Sequence, residues 1–340
     1  MIDTIWARPV HGAVLEANEE LKRFIPSPTA PNFPGFSFSS LSSSSYGPSR
    51  LLRDEDSGLQ ITSSNQSNPK IKVSLPRLLH SGGNFRLITC DHEIQRAQSL
   101  LKEKVEKAFI SMPPLEFRRV DLVLQFWIDC AAVLKALKSH QYPQIRQSPT
   151  EWESASNDHS LQFKGKEMTI GAYDKMYHML KNCRGDKELY EQHRGKVLRV
   201  EFLLKGNKLK KLLSDGENYP THLDFNRCYQ EYRKLLLGFE KVTTQKYANK
   251  THFILDLIAR TSKAGVTMDD GRSPLDHWED FPRSNSTCRA HRALMRKTLL
   301  ESVCADWGQL VPEIWSPTNK FLVQDFEALE ARTCEELMNR

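Results

Sequence analysis

The chain has no apolar run near the roughly 20 residues that a membrane-spanning helix needs. Its first stretch, "MIDTIWARPVHG", also lacks the charged-then-greasy pattern of a secretory signal. Both absences lead to the expectation of a protein that stays in the cytoplasm. No Cys-x-x-Cys pair occurs. The seven cysteines, Cys90, Cys130, Cys183, Cys228, Cys288, Cys304 and Cys334, are scattered and odd in number, so they read as reduced thiols rather than a disulfide framework or a zinc site. No two histidines stand two residues apart, which excludes a metal clamp of the His-hydrophobe-His kind. A metal site here must rest mainly on carboxylates, with at most an isolated histidine such as His80 in "LLHSGGN", which reads more readily as a polar turn residue. No internal repeat is visible. Neither sign of charge dominates: a net +6 and a pI near 8.8 favour a polyanionic partner only mildly, so local basic clusters matter more than the total.

What is present is a globular composition, 39% hydrophobic and 26% charged. The length suits two domains. The first segment could be a strand. From Ile25 to Arg50, Ser, Pro and Gly dominate, and the region of about 25–66 reads as a long loop with little regular structure. Alternation of Ile71, Val73 and Leu75 with Lys72 and Ser74 marks a half-buried strand. "DHEIQRAQSLLKEKVEKAFI" reads as a helix with Asp91 as N-cap and Ile94, Ala97, Leu101, Val105 and Phe109 on one face. "FRRVDLVLQFWID" is a strong strand before a short helix that Asp129 can cap. "SLQFKG" and "KEMTIGAYDK" look like a hairpin, and "GKVLRVEFLLKGNKLKKLL" supplies a strand and a basic helix start. Beyond about residue 215 the pattern is mainly helical. The expectation is an α+β fold: an antiparallel sheet flanked by helices over 1–215, followed by a helical C-terminal domain over 216–340.

Period-two geometry turns three of these strands into a site hypothesis. Val120, Leu122, Leu124, Phe126 and Ile128 share one face, which sends Arg119, Asp121, Val123 and Gln125 to the other. Leu198, Val200, Phe202 and Leu204 likewise send Arg199 and Glu201 outward, and Met168, Ile170 and Ala172 send Thr169, Gly171 and Tyr173 outward. If the strands share a sheet, Asp121, Glu201 and Tyr173 emerge together. Two carboxylates can hold Mg²⁺ or Mn²⁺ through oxygen ligands, and a phenol beside that ion can attack phosphorus, with Lys175 supporting it. The alternative is that Arg119 and Arg199 simply form cross-strand ion pairs with Asp121 and Glu201 while Tyr173 packs.

In order along the chain, "PKIKVSLPRLLHSGGNF", "FRRVDLVLQF", "MTIGAYDKMYHM" and "LRVEFLLKGNKLKKL" resemble the replication initiators of the filamentous phage gene II/X family, over roughly residues 1–215. The resemblance implies a Rep-nuclease-like catalytic domain and a site-specific DNA endonuclease and strand transferase. Such a protein nicks one strand at a double-stranded origin, then rejoins strands in rolling-circle replication. It places the family's Arg-x-Asp on Arg119 and Asp121, its Tyr-x-Lys on Tyr173 and Lys175, and its Arg-x-Glu on Arg199 and Glu201. Tyr173 would then be the nucleophile and Asp121 and Glu201 the metal ligands. Tyr177, four residues on, is a candidate second phenol or a packing residue.

Origin DNA, duplex and single-stranded, is the expected partner, with host helicase and polymerase as further ones. Lys205, Lys208, Lys210 and Lys211 could hold phosphates near the site, and Arg289, Arg292 and Arg296 share one face of a later helix. Two rival readings stay open: a non-catalytic origin or single-strand DNA-binding protein, and a metal-dependent hydrolytic nuclease that uses water.

Overall fold

The computed structural model describes residues 1–11, 13, 15–19, 36–44, 47–64, 67–80, 84–138, 140–142, 145, 159–181, 187–214, 218–241, 255, 258, 267–268, 270–280, 287, 291 and 322–338. Eleven strands occur among them: β1 (Ile2–Pro9), β2 (Ser37–Ser44), β3 (Gly47–Arg53), β4 (Gln60–Ser64), β5 (Ser67–Ser74), β6 (Leu115–Trp127), β7 (His140–Gln141), β8 (Ser160–Lys164), β9 (Met168–Asp174), β10 (Val197–Lys205) and β11 (Glu240–Lys241). Nine of them form one sheet in the order β2-β3-β4-β5-β1-β6-β10-β9-β8, antiparallel at every pairing, while β7 and β11 make a separate short pair. The architecture is α+β, an antiparallel sheet flanked by helices. No helix among the described residues is long and apolar enough to cross a membrane.

The apolar sets found by alternation form the core. Val120, Leu122, Leu124 and Phe126 of β6 and Leu198, Val200, Phe202 and Leu204 of β10 are all nearly inaccessible to water. Burial of each contributes about 1.5–3 kcal/mol. They pack on the helix Phe225–Leu236 through Cys228, Tyr232, Leu235 and Leu236. Tyr232 meets Phe202 edge-on at 5.1 Å, and its hydroxyl donates to the Val200 carbonyl at 3.1 Å. That helix starts where Asp224 accepts from the Arg227 amide at 2.6 Å, an N-cap. Across the other half of the sheet, Ile5, Ala7, Ile61, Ile71 and Val73 join the same core. There they meet the helix Asp91–Glu106 through Ile94, Ala97, Leu101 and Val105.

Most local signals are realised. Asp129 accepts from the Ala131 amide at 2.9 Å and caps the helix Cys130–Lys138. β8 and β9 form the expected hairpin, closed by the Gly165 amide on the Met168 carbonyl at 2.9 Å. Asp91 is not the cap of its helix: Cys90 takes that position, and the Asp91 carboxylate accepts from the Phe225 amide at 2.7 Å. The Ser/Pro-rich loop expected over about 25–66 is corrected for its described part, which contributes β2, β3 and β4. Serine has little preference of its own here. The segment is fixed by ladder hydrogen bonds and by Leu52, Leu59 and Ile61, which are buried under it. Residues 20–35 lie outside the described residues.

Candidate functional site

Strand register sets the site. Tyr173 pairs with Arg199 and Arg199 with Gln125; Gly171 pairs with Glu201 and Glu201 with Val123; Leu203 pairs with Asp121. Directly paired residues share a face, so Asp121, Glu201, Arg199 and Tyr173 lie on one side of β6-β10-β9, as alternation predicts. That side is not open to solvent. A second apolar group, Phe85, Met176, Met179, Tyr190, Val197, Val323 and Leu329, packs at this end of the sheet. Tyr173 and Asp121 are 5% exposed, Glu201 8%, Lys175 1% and Arg199 0%.

Arg199 is the hub. Its Nε donates to Glu201 Oε1 at 2.9 Å, one Nη to the Asn84 carbonyl at 2.8 Å and to Gln125 Oε1 at 3.4 Å, and the other Nη to Asp3 Oδ2. The Tyr173 hydroxyl donates to the same Glu201 Oε1 at 2.5 Å. Asp3 also accepts from Ser74 Oγ at 2.7 Å and from Asn84 Nδ2 at 2.9 Å, and Lys175 Nζ donates to Asn84 Oδ1 at 2.7 Å. Asp121 is held by a two-pronged contact from Arg119, Nε to Oδ1 at 2.6 Å and Nη to Oδ2 at 2.7 Å. The Arg-x-Asp and Arg-x-Glu contacts thus each run along a single strand, between residues two apart, and not between strands.

The electrostatics of this network run against a poised nucleophile. Burial pushes the Tyr173 phenol well above its ordinary value, and the adjacent Glu201 adds to that while Arg199 opposes it. An attacking phenol needs the opposite, a lowered value or an adjacent free base. Burial, followed by Arg199, drives Lys175 well below its ordinary value. Asp121 is pushed up to about 7 by burial, although the Arg119 fork works the other way. Burial also acts against the charge on Arg199, but Tyr173, Asp3 and Glu201 raise it above its ordinary range.

The expected Mg²⁺ or Mn²⁺ does not fit these donors. Both Asp121 oxygens are engaged by Arg119, and Glu201 Oε1 already accepts from Arg199 and Tyr173. Among the described residues no group of three or more His, Cys, Asp or Glu side chains converges on a possible ion. His80 ends the helix Leu75–His80, partly buried and 3.8 Å from Glu93.

The other predicted residues are distributed more widely. Tyr177 stacks on His159 at 4.1 Å with the Arg194 guanidinium over its ring at 5.1 Å, whereas Tyr173 lies beside His178, so the two phenols have different neighbours. Lys205 ends β10, and Lys208, Lys210 and Lys211 follow on the helix Gly206–Leu213. They sit at the end of β10 remote from Tyr173. At a strand's rise per residue, Lys205 is about 20 Å from Arg199. Lys210 and Arg118 lie over the Tyr219 ring at 4.7 and 3.9 Å. Arg289, Arg292 and Arg296 lie outside the described residues.

Sequence reasoning missed Asp3, Asn84 and Asp174. Asp174 binds the Met176, Tyr177 and Gly195 amides at 3.0, 3.2 and 2.8 Å, which locks the turn from β9 into the helix Lys175–Lys181. An Asp immediately before a helical run is an N-cap signal that could have identified it.

No family model matches the chain. A stretch of 103 residues, 29% of this chain, is 30% identical to the ribosomal RNA small subunit methyltransferase A of Francisella tularensis subsp. novicida (strain U112). The same enzyme from subsp. tularensis (strain WY96-3418) and subsp. holarctica (strain LVS) matches over the same length at the same identity. The match spans 39% of the length of these curated relatives. The expectation of a DNA endonuclease and strand transferase is corrected here. The similar proteins are named for methyl transfer to RNA rather than for cutting DNA, and the buried, proton-retaining Tyr173 is not arranged to attack phosphorus.

Proposed function

We propose that the chain is a nucleic-acid-binding protein of the replication-initiator kind, acting at origin DNA by binding. The observation that carries this reading is the convergence of three short motifs. Arg119 with Asp121, Tyr173 with Lys175 and Arg199 with Glu201 are far apart in sequence, yet all but Lys175, which opens the helix after β9, lie on three adjacent strands at one face. In this reading the scaffold is Rep-like, and the network is a structural tie that fixes β6, β10 and β9 against the first strand through Asp3. The phosphates are met elsewhere, by Lys205, Lys208, Lys210 and Lys211 at the far end of β10.

A titration of the full chain against its own genomic origin and a scrambled duplex, at several salt concentrations, tests this. Origin affinity at least about tenfold above the scrambled duplex is expected. Each phosphate-contacting lysine changed to glutamine should lower the salt slope by about 0.9. Equal weak binding to both duplexes contradicts the proposal.

A second reading, methyl transfer to ribosomal RNA, rests on the match to the methyltransferases. Against it stands the sheet, antiparallel at all its described pairings, which lacks the parallel-strand carboxyl ends where open α/β sheets take nucleotide cofactors. Incorporation of label from S-adenosylmethionine into ribosomal RNA would establish this second reading in place of the first.

A further inference from the structure

One row of directly paired residues crosses six strands on the side opposite the core: Arg53 (β3), Gln60 (β4), Lys72 (β5), Trp6 (β1), Arg119 (β6) and Lys205 (β10). Each pair in the row shares a face, so all six side chains lie on one side of the sheet. Their partners in alternation, Leu52, Ile61, Ile71, Val73, Ile5 and Val120, are buried on the other side. At this half of the sheet the face is open among the described residues. Lys72 and Lys205 are exposed, and Arg53, Gln60 and Arg119 are partly so. Trp6 is 39% exposed and is the only large aromatic exposed among the described residues. The Arg119 guanidinium lies 4.8 Å and Lys72 Nζ 5.8 Å from its ring centroid.

We propose that this row is a binding path for single-stranded DNA, with Trp6 as a base-stacking platform and Lys72, Arg119 and Lys205 along the phosphates. The proposal rests on the nucleic-acid-binding reading above and specifies a surface for it. Placing a large indole among cations on an open sheet face is unfavourable for solubility and does nothing for the core, but it matches the two things a single strand offers, bare base faces and closely spaced negative charge. A duplex hides its base faces in the stack and cannot use Trp6 in this way. Acidic groups near the row are already engaged: Glu55 with Arg53 at 3.3 Å, Glu116 with Arg118 at 2.6 Å and Asp121 with Arg119. The two exposed lysines therefore contribute most of the available positive charge. From Arg53 to Lys205 the row spans five strand spacings, about 24 Å. That suits about four nucleotides, the low end of single-strand site sizes.

The test is fluorescence anisotropy of the full chain with labelled dT12, rU12 and a 12-base-pair duplex, for wild type, Trp6→Ala, Trp6→Phe and the double variant Lys72→Gln/Lys205→Gln. Because Trp6 is outside the core, circular dichroism should show Trp6→Ala folded, and Trp6→Phe keeps a ring in place as a second check. The expected result is a roughly 5- to 150-fold loss of dT12 affinity in Trp6→Ala, partial retention in Trp6→Phe and little change on duplex. The double lysine variant should lower the dT12 salt slope by about 1.4. If wild type binds DNA but Trp6→Ala binds dT12 as well as wild type does, this path is wrong while the broader reading stands. If wild type binds none of the three, both fall. Tighter Trp6-dependent binding of rU12 than of dT12 overturns the assignment to DNA.

Discussion

Replacing Arg199 with methionine is the most informative single perturbation. The guanidinium is wholly buried and holds two buried carboxylates, Asp3 and Glu201, while also satisfying the Asn84 carbonyl and Gln125. Methionine fills most of the volume but leaves both carboxylates without their cation in a low-dielectric site. Removing one partner of a buried ion pair costs about 3–5 kcal/mol, and one cation serving two anions puts Arg199→Met near the upper end. That is a large share of the roughly 5–15 kcal/mol that keeps a domain folded. Urea unfolding at pH 7.5, compared across wild type, Arg199→Met and the triple variant Asp3→Asn/Arg199→Met/Glu201→Gln, measures it. The triple variant should recover most of the loss, because it removes the stranded charges. A cost below about 1 kcal/mol for Arg199→Met, or a triple variant no better than the single, would refute the buried network.

Three other perturbations probe the same region. Tyr173→Phe removes one hydrogen bond to the charged Glu201 acceptor. It should cost about 1.5–3 kcal/mol in the same assay, with DNA affinity unchanged. Asp174→Ala removes the acceptor of three backbone amides at the start of the helix Lys175–Lys181. Its cost by urea midpoint should be about 2 kcal/mol, the upper end for loss of an N-cap. Asp121 keeps its proton up to about pH 7 in the folded chain, against an ordinary value of 3.8, so the folded state binds more protons than the unfolded state between those values. Stability from this residue is therefore full below about pH 4 and declines toward pH 7, by on the order of 4 kcal/mol. Asp121→Asn should flatten that slope when midpoints at pH 4.5 and 7.5 are compared.

Much of the arrangement was legible because alternation along a strand is a local property. Asp121, Glu201, Arg199 and Tyr173 fall on one face from period two alone, and the register then joins them. Their burial was not legible. It depends on Phe85, Val323 and Leu329 folding back over that face, contacts far along the chain that leave no trace in the spacing of the strands themselves. The alternative in which the arginines engage the carboxylates is realised within each strand and not across strands, because residues two apart on a strand share a face. The Ser-rich segment misleads for a related reason, because low side-chain preference reads as a lack of structure while its backbone pairs with neighbouring strands. The row from Arg53 to Lys205 could not be read from sequence at all, since it exists only once five strand pairings fix which residues stand opposite one another.

The measurement that bears most directly on the central claim is the affinity of the full chain for a duplex carrying its own origin, taken for wild type and Tyr173→Phe at one salt concentration. Specific binding that is the same in both is predicted, because Tyr173 ties strands together and does not touch DNA. Binding that is lost in Tyr173→Phe although the variant remains folded, or no preference for the origin in wild type, would contradict it.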